Sequence, residues 1–257
     1  MNIDSTLKNL INGKRIAIIG PAEYVCKELD EDHGDYIDSF DIVIRLQRLS
    51  APDNLQKYYG KKGNIISSSF WTRVKDDFKD KNISWNNATY CNRDFYENLE
   101  ENTLLLECYA RNEFNIIYNK LNLKETMENK KIYYGNISPE MNNMIYNFCN
   151  KIGIKINKTL STGFMTLILI ILLEPKKIYV SGITGHCDKK YKAHFDGYFL
   201  GNYKEVAPEG YNEYKPVNKG TYTIDHPYDE EAKILSFCSE NKFIKTDKYL
   251  KNLLKKN

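Results

Sequence analysis

The run from Lys14 to Gly20, Lys-Arg-Ile-Ala-Ile-Ile-Gly, constrains this chain more than any other feature. Ile16, Ala17, Ile18 and Ile19 follow one another with no polar residue between them. A strand built from such a run has no face to give to water, so it is buried on both sides, as in a parallel sheet covered by helices. The stretches 40–46 and 64–69 repeat the pattern, and 177–183 is the last strong example. Residues 88–91 and 103–106 are weaker candidates. Between them, 139–148 spaces its apolar residues as a helix does. Short buried strands alternating with amphipathic stretches predict an α/β fold: one Rossmann-like domain over 1–257, with a mostly parallel, twisted sheet flanked by helices. The chain carries no internal repeat and no linker rich in Pro, Gly or Ser.

Composition excludes several other classes. A chain of 257 residues with 42% hydrophobic and 13% aromatic residues can fill a core, so wholesale disorder is out. Thirty-seven basic residues against 34 acidic ones leave a net charge of +3, spread along the chain, which argues against a nucleic-acid partner. The longest apolar run, from Phe164 to Leu173, is half of the roughly 20 residues a bilayer requires, and reads as a buried helix. The first residues lack an apolar signal core, and the six cysteines show no CxxC and no dense framework. Both features predict a cytoplasmic, reducing setting without a transmembrane segment. The wealth of Asn, Lys, Ile and Tyr fits a low-GC bacterial or viral genome. Nothing in the sequence sets an oligomeric state.

One segment stands apart. From about 184 to 223 the apolar periodicity stops, and Gly, Tyr, Lys and His accumulate. A loop of that length is uncommon unless it has a task, and it reads as a lid over the carboxyl edge of the sheet, where open α/β sheets bind ligands.

Several residues could carry chemistry. Ser161-Thr162-Gly163 stands just before the apolar helix, where a hydroxyl caps and a helix start favours an anion. His226-Pro227 opens another helix, with Asp225 as its expected cap and Glu231 five residues on. A histidine titrates near neutrality and can take a proton from an attacking hydroxyl. His194 lies in the long loop close to Lys189, Lys190 and Lys192. Asp30-Glu31-Asp32 has the form of a DxD metal motif, but at the end of a predicted helix it reads as a solvated face. His186 and Cys187 lack a second ligand pair for zinc. Gly20 has no GxGxxG continuation, so the dinucleotide fingerprint is absent.

Taken together and in order, these segments resemble the motif series of the sialyltransferases of glycosyltransferase family 29, with some similarity to bacterial family 42. The stretch from Gly20 to Arg45, with Asp38, Asp41 and Arg45 in an Asp-x-x-Asp-hydrophobic-Val-x-Arg pattern, resembles the large sialylmotif. Leu160 to Gly163, the apolar helix and the run from Ile178 to Gly182 resemble the small one. His194-Phe195-Asp196 is similar to the third motif, and His226 with Glu231 to the very small motif, His-x4-Glu. The series spans 14–240, with little signal in about 70–155. Two positions depart from it: the family's Gly-Asn is Gly20-Pro21 here, and its Asn two residues beyond the motif arginine is Gln47.

The resemblance implies an inverting, metal-independent transfer of sialic acid from CMP-sialic acid to a glycan hydroxyl, with no cofactor beyond the CMP-sugar. His226 would be the general base and His194 would stabilise the departing CMP phosphate. The donor would lie against Gly20, Gln47, Ser69, Ser161, Thr162, Gly163 and Gly182. Asp38, Asp41, Arg45 and Glu231 would support the site, Glu231 by orienting the helix or His226. Pro21 and Gln47 also fit a different CMP-activated acidic sugar, such as a Kdo-like donor. A non-catalytic nucleotide- or glycan-binding protein of the same fold is the remaining alternative.

Overall fold

Seven strands form one sheet in a computed structural model that describes residues 4–47, 51–68, 93–109, 114–185, 187–194 and 226–255. They are β1 (Arg15–Ile19), β2 (Ile42–Leu46), β3 (Ile65–Ser68), β4 (Leu104–Glu107), β5 (Tyr133–Asn136), β6 (Lys177–Ser181) and β7 (Lys245–Thr246). Every neighbouring pair is parallel, in the order β5-β4-β3-β2-β1-β6-β7. The apolar run at 14–20 forms the centre of the sheet: β1 lies between β2 and β6, with Ile16 beside Ile42 and Ile178. The expected α/β, Rossmann-like architecture is the observed one.

The order of strands locates the binding edge. From β1 the chain steps outward through β2, β3, β4 and β5, then crosses back to place β6 on the other side of β1. The strand order reverses between β1 and β6, and ligands bind in such sheets in the crevice at the carboxyl ends of those strands.

The return crossing runs through the helices Pro139–Lys151 and Thr162–Leu172. Ser138 starts the first by accepting a hydrogen bond from the Met141 amide at 3.0 Å, with proline in the first turn. The second helix is apolar all round because it is enclosed all round: every residue from Thr162 to Ile170 is buried. It lies on the sheet face that carries Ser67, whose hydroxyl meets that of Thr166 at 2.6 Å. On the opposite face, Ile66 and Leu105 pack with Tyr96, Phe114 and Met127 into a second, smaller core. No helix among the described residues is long and apolar enough to cross a membrane.

Two local expectations are corrected. β5 and β7 are strands that apolar runs did not announce: β5 is Tyr-Tyr-Gly-Asn at the sheet's edge, and β7 has only two residues. The last large helix begins at Tyr228, so Pro227 occupies its cap position and not its first turn. As expected, Asp30-Glu31-Asp32 follows the end of a helix, Tyr24–Glu28, and is exposed in the turn before His33–Asp38, where Glu31 pairs with Lys57. The predicted strand at 88–91, Asp225 and most of the predicted lid, 195–223, lie outside the described residues.

Candidate active site

The amino end of the Thr162–Leu172 helix lies at the carboxyl edge of the sheet, because a crossover helix runs antiparallel to the strands it connects. Its first turn touches both sides of the crevice. The Gln47 side-chain amide points to the Thr162 hydroxyl at 3.5 Å. A Cβ added to Gly163 would come within 3.2 Å of Leu46 and 3.6 Å of Ile183. Glycine at 163 is thus explained by close packing of helix on sheet. Gln47 itself takes a left-handed conformation, φ 59°, and anchors its amide to the Ser67 carbonyl at 2.9 Å.

Ser161 is the helix cap by position, but its hydroxyl makes no capping bond. The capping contact is supplied from a distance. Glu231, on the helix Tyr228–Glu240, accepts the Ser161 amide through Oε1 at 2.5 Å. A carboxylate suits the positive end of a helix dipole, and here it comes from 70 residues further along the chain. Burial is the dominant influence on Glu231: the side chain is fully enclosed, Oε2 has no hydrogen-bond partner, and its pKa is pushed up to about 7. The Ser161 hydrogen bonds oppose this rise and the nearby Glu230 charge adds to it.

His226 meets the same segment two residues earlier. Its Nδ1 lies 2.8 Å from the Thr159 carbonyl. A carbonyl only accepts, so Nδ1 carries the proton and Nε2 is the basic nitrogen of the ring. His226 and Glu231 therefore act on one stretch, 159–161, from one helix start. That arrangement fixes the imidazole beside the amino end of the Thr162–Leu172 helix. The 182–185 loop closes the group from the third side, with Gly185 packed against Ala232 and Phe164.

The two crevice glycines have a structural explanation. A Cβ on Gly20 would fall 2.2 Å from the Gly182 carbonyl oxygen, and one on Gly182 would fall 2.2 Å from that of Gly20. The loops after β1 and β6 cross backbone to backbone, with Gly182 at φ 74°. The Gly20 amide bonds the Ser181 carbonyl at 2.8 Å, and the Ala22 amide bonds that of Gly182 at 3.1 Å.

His194 lies at the described end of the loop after β6. That loop is tied down just before it: Asp188 accepts the Lys190 and Tyr191 amides, and Glu23 exchanges backbone and side-chain hydrogen bonds with Lys192. Lys190 and the Tyr191 hydroxyl both hold Glu28. These contacts carry the His194 segment across the loop that follows β1.

The remaining predicted residues separate. Asp41 lies at the amino edge and accepts from the Arg15 amide at 2.8 Å and its guanidinium at 3.1 Å. Asp38 accepts the Lys61 and Lys62 amides. Arg45 is buried and donates to the carbonyls of Tyr59, at 2.6 Å, and Lys62, at 2.9 Å. Asp38 and Arg45 hold the connection into β3, and Asp41 holds the start of β2 at the amino edge of the sheet. Ser69 lies outside the described residues. Sequence reasoning missed Tyr24 and Asp247, which meet at the crevice from positions 223 residues apart. Among the described residues, no group of three or more His, Cys, Asp or Glu is placed to hold a metal ion.

No protein-family profile matches this sequence, and no curated protein matches it either. Solved structures do. A mammalian sialyltransferase in complex with Gal-beta-1-3GalNAc-ortho-nitrophenol is similar at a TM-score of 0.50 and 14% identity, over 94% of this chain and 71% of that one. The sialyltransferase CstII of Campylobacter jejuni, in complex with the substrate analogue CMP-3FNeuAc, is similar at 0.45 and 18% identity, over 91% and 80%. The first of these likenesses establishes a shared fold.

Proposed function

We propose that this chain is a glycosyltransferase of the sialyltransferase type, moving sialic acid from CMP-sialic acid to a glycan hydroxyl with inversion. The observation that carries the reading is the hydrogen bond from His226 Nδ1 to the Thr159 carbonyl. It sets the tautomer in which Nε2 accepts a proton, at the carboxyl edge of a sheet whose fold is shared with a mammalian sialyltransferase. The ordered motif series from Gly20 to Glu231 supports the same reading, and it names the donor as a CMP-sugar.

In this mechanism His226 removes the acceptor hydroxyl proton as the oxygen attacks the anomeric carbon, and the bond to the CMP phosphate breaks on the opposite face. His194, carried toward the crevice by its tethered loop, balances charge on the departing phosphate. The amino end of the Thr162–Leu172 helix favours the donor's negative groups. Glu231 acts through the helix start and does not touch the sugar. Chelators leave the reaction unaffected, since no step uses a metal.

The test is turnover of CMP-sialic acid with a galactose-terminated acceptor, in the parent and in His226→Ala. General-base assistance is worth about 10²–10⁴-fold, so the variant loses that much in turnover while its affinity for CMP is unchanged. A variant that turns over like the parent removes His226 from the chemistry.

A further inference from the structure

The crevice loops owe their path to a buried network that the motif series does not contain. Asp247 caps the terminal helix Lys248–Leu254, accepting the Leu250 amide through Oδ1 at 2.8 Å. Its other oxygen, Oδ2, accepts two hydroxyls: Tyr24 at 2.7 Å and Ser181 at 2.8 Å. The Tyr24 hydroxyl in turn accepts the Gly182 amide at 2.7 Å. Asp247 is 6% exposed and Tyr24 is fully buried, with its ring stacked on Tyr249 at 4.6 Å. Each hydroxyl donates once, and the carboxylate accepts three times, so the donor pattern admits one arrangement. It turns the Gly182 amide inward, away from the crevice, at the point where the loops after β1 and β6 cross.

We infer that Tyr24 and Asp247 are positioning residues of the donor crevice, fixing the Gly182 turn so that the loops after β1 and β6 hold the shape a nucleotide meets. This inference rests on the proposed function for its ligand, but its geometry stands apart from it. Gly182 has a left-handed backbone with carbonyl oxygen on both sides of the crossing, so the turn has little freedom to settle elsewhere once Tyr24 holds its amide. A network that only capped the terminal helix would need the Leu250 bond alone. The two hydroxyl contacts are what reach the crevice.

The experiment reads two quantities in the parent, Tyr24→Phe and Asp247→Asn: hydrogen exchange at the Gly182 amide, and the dissociation constant for CMP. Asp247→Asn retains an oxygen for the Leu250 amide and puts an NH₂ group where the Tyr24 and Ser181 hydroxyls had their acceptor, so it separates the cap from the network. Both variants speed exchange at Gly182 while the Ile66 and Leu105 amides of the far core exchange as in the parent. Both weaken CMP by about tenfold, the worth of one buried hydrogen bond. Ile66→Val, which loosens the second core away from the crevice, lowers stability with CMP affinity unchanged. Unchanged exchange at Gly182 in both variants overturns the inference, as does a CMP affinity equal to the parent's. A parent that binds no CMP removes the proposed donor, and the exchange arm then decides whether the pair fixes the turn.

Discussion

At the amino edge of the sheet, Asp41 and Arg15 pair with side chains 41% and 43% exposed, whereas at the carboxyl edge Glu231 and Asp247 hold their partners almost without water. The chemistry is the same, a carboxyl group accepting from amides and side chains, but the energetics differ. An exposed pair loses little hydration on forming and gains little. A buried carboxyl group is costly unless its oxygens are satisfied, so its position is tightly specified. The two edges also differ in what they hold. Asp41 joins the starts of β1 and β2, which any sheet of this topology must align. Glu231 and Asp247 instead hold a helix start and a strand-end turn on the two sides of the ligand crevice. Burial has been accepted where geometry matters to the site.

The largest expected break in this comparison is Asp247→Ala. It leaves the Tyr24 and Ser181 hydroxyls and the Leu250 amide without an acceptor, and removes a helix cap, costing about 3–5 kcal/mol in urea unfolding. A cost below that of an ordinary surface change would mean that the network is slack.

Next in size is the pH dependence carried by Glu231. Burial lifts its folded pKa to about 7, above the ordinary range of a glutamate, so the folded chain binds this proton more tightly than the unfolded chain. The stabilisation is therefore complete below about pH 4.5 and disappears as pH rises through 7. Glu231→Gln removes that slope, and stability measured across this window becomes flatter than in the parent. The affinity for an anionic donor also falls in the parent as Glu231 ionises, and stays level in the variant. An identical slope in the two proteins would assign the dependence to other groups.

Asp41→Asn gives the smallest effect and the opposite sign. Hydrogen bonds from Arg15 hold the Asp41 carboxyl below the usual carboxylate range, so its contribution is present at neutral pH and is lost only in acid. The melting temperature drops slightly, the drop shrinks as salt is added, and CMP affinity does not change. A loss of CMP affinity would place Asp41 in the site after all.

Much of the scaffold was legible in the chain. β1, β2, β3 and β6 follow from runs that cannot face water, and the enclosed helix Thr162–Leu172 from its unbroken apolar stretch. β5 escaped because an edge strand needs no such run: Tyr133 is 55% exposed. β7 escaped because two residues carry no period. At the site, the motif order picked out Ser161, Gly182, His226 and Glu231, which the fold brings to one edge. It also picked out Asp38, Asp41 and Arg45, whose bonds prove to align strands and the loop into β3. Spacing along the chain could not separate these roles, because it does not say at which end of a strand a side chain is used. Tyr24 and Asp247 left no trace, since a hydrogen bond across 223 positions has no local pattern.

The most direct test of the account is a thermal-shift comparison of CMP with UDP, GDP and NAD on the parent chain. A ligand at one hundred times its dissociation constant stabilises the folded state by about 2.7 kcal/mol. The account predicts a clear rise in melting temperature with CMP and none with the others. A rise with UDP or NAD and none with CMP would contradict it.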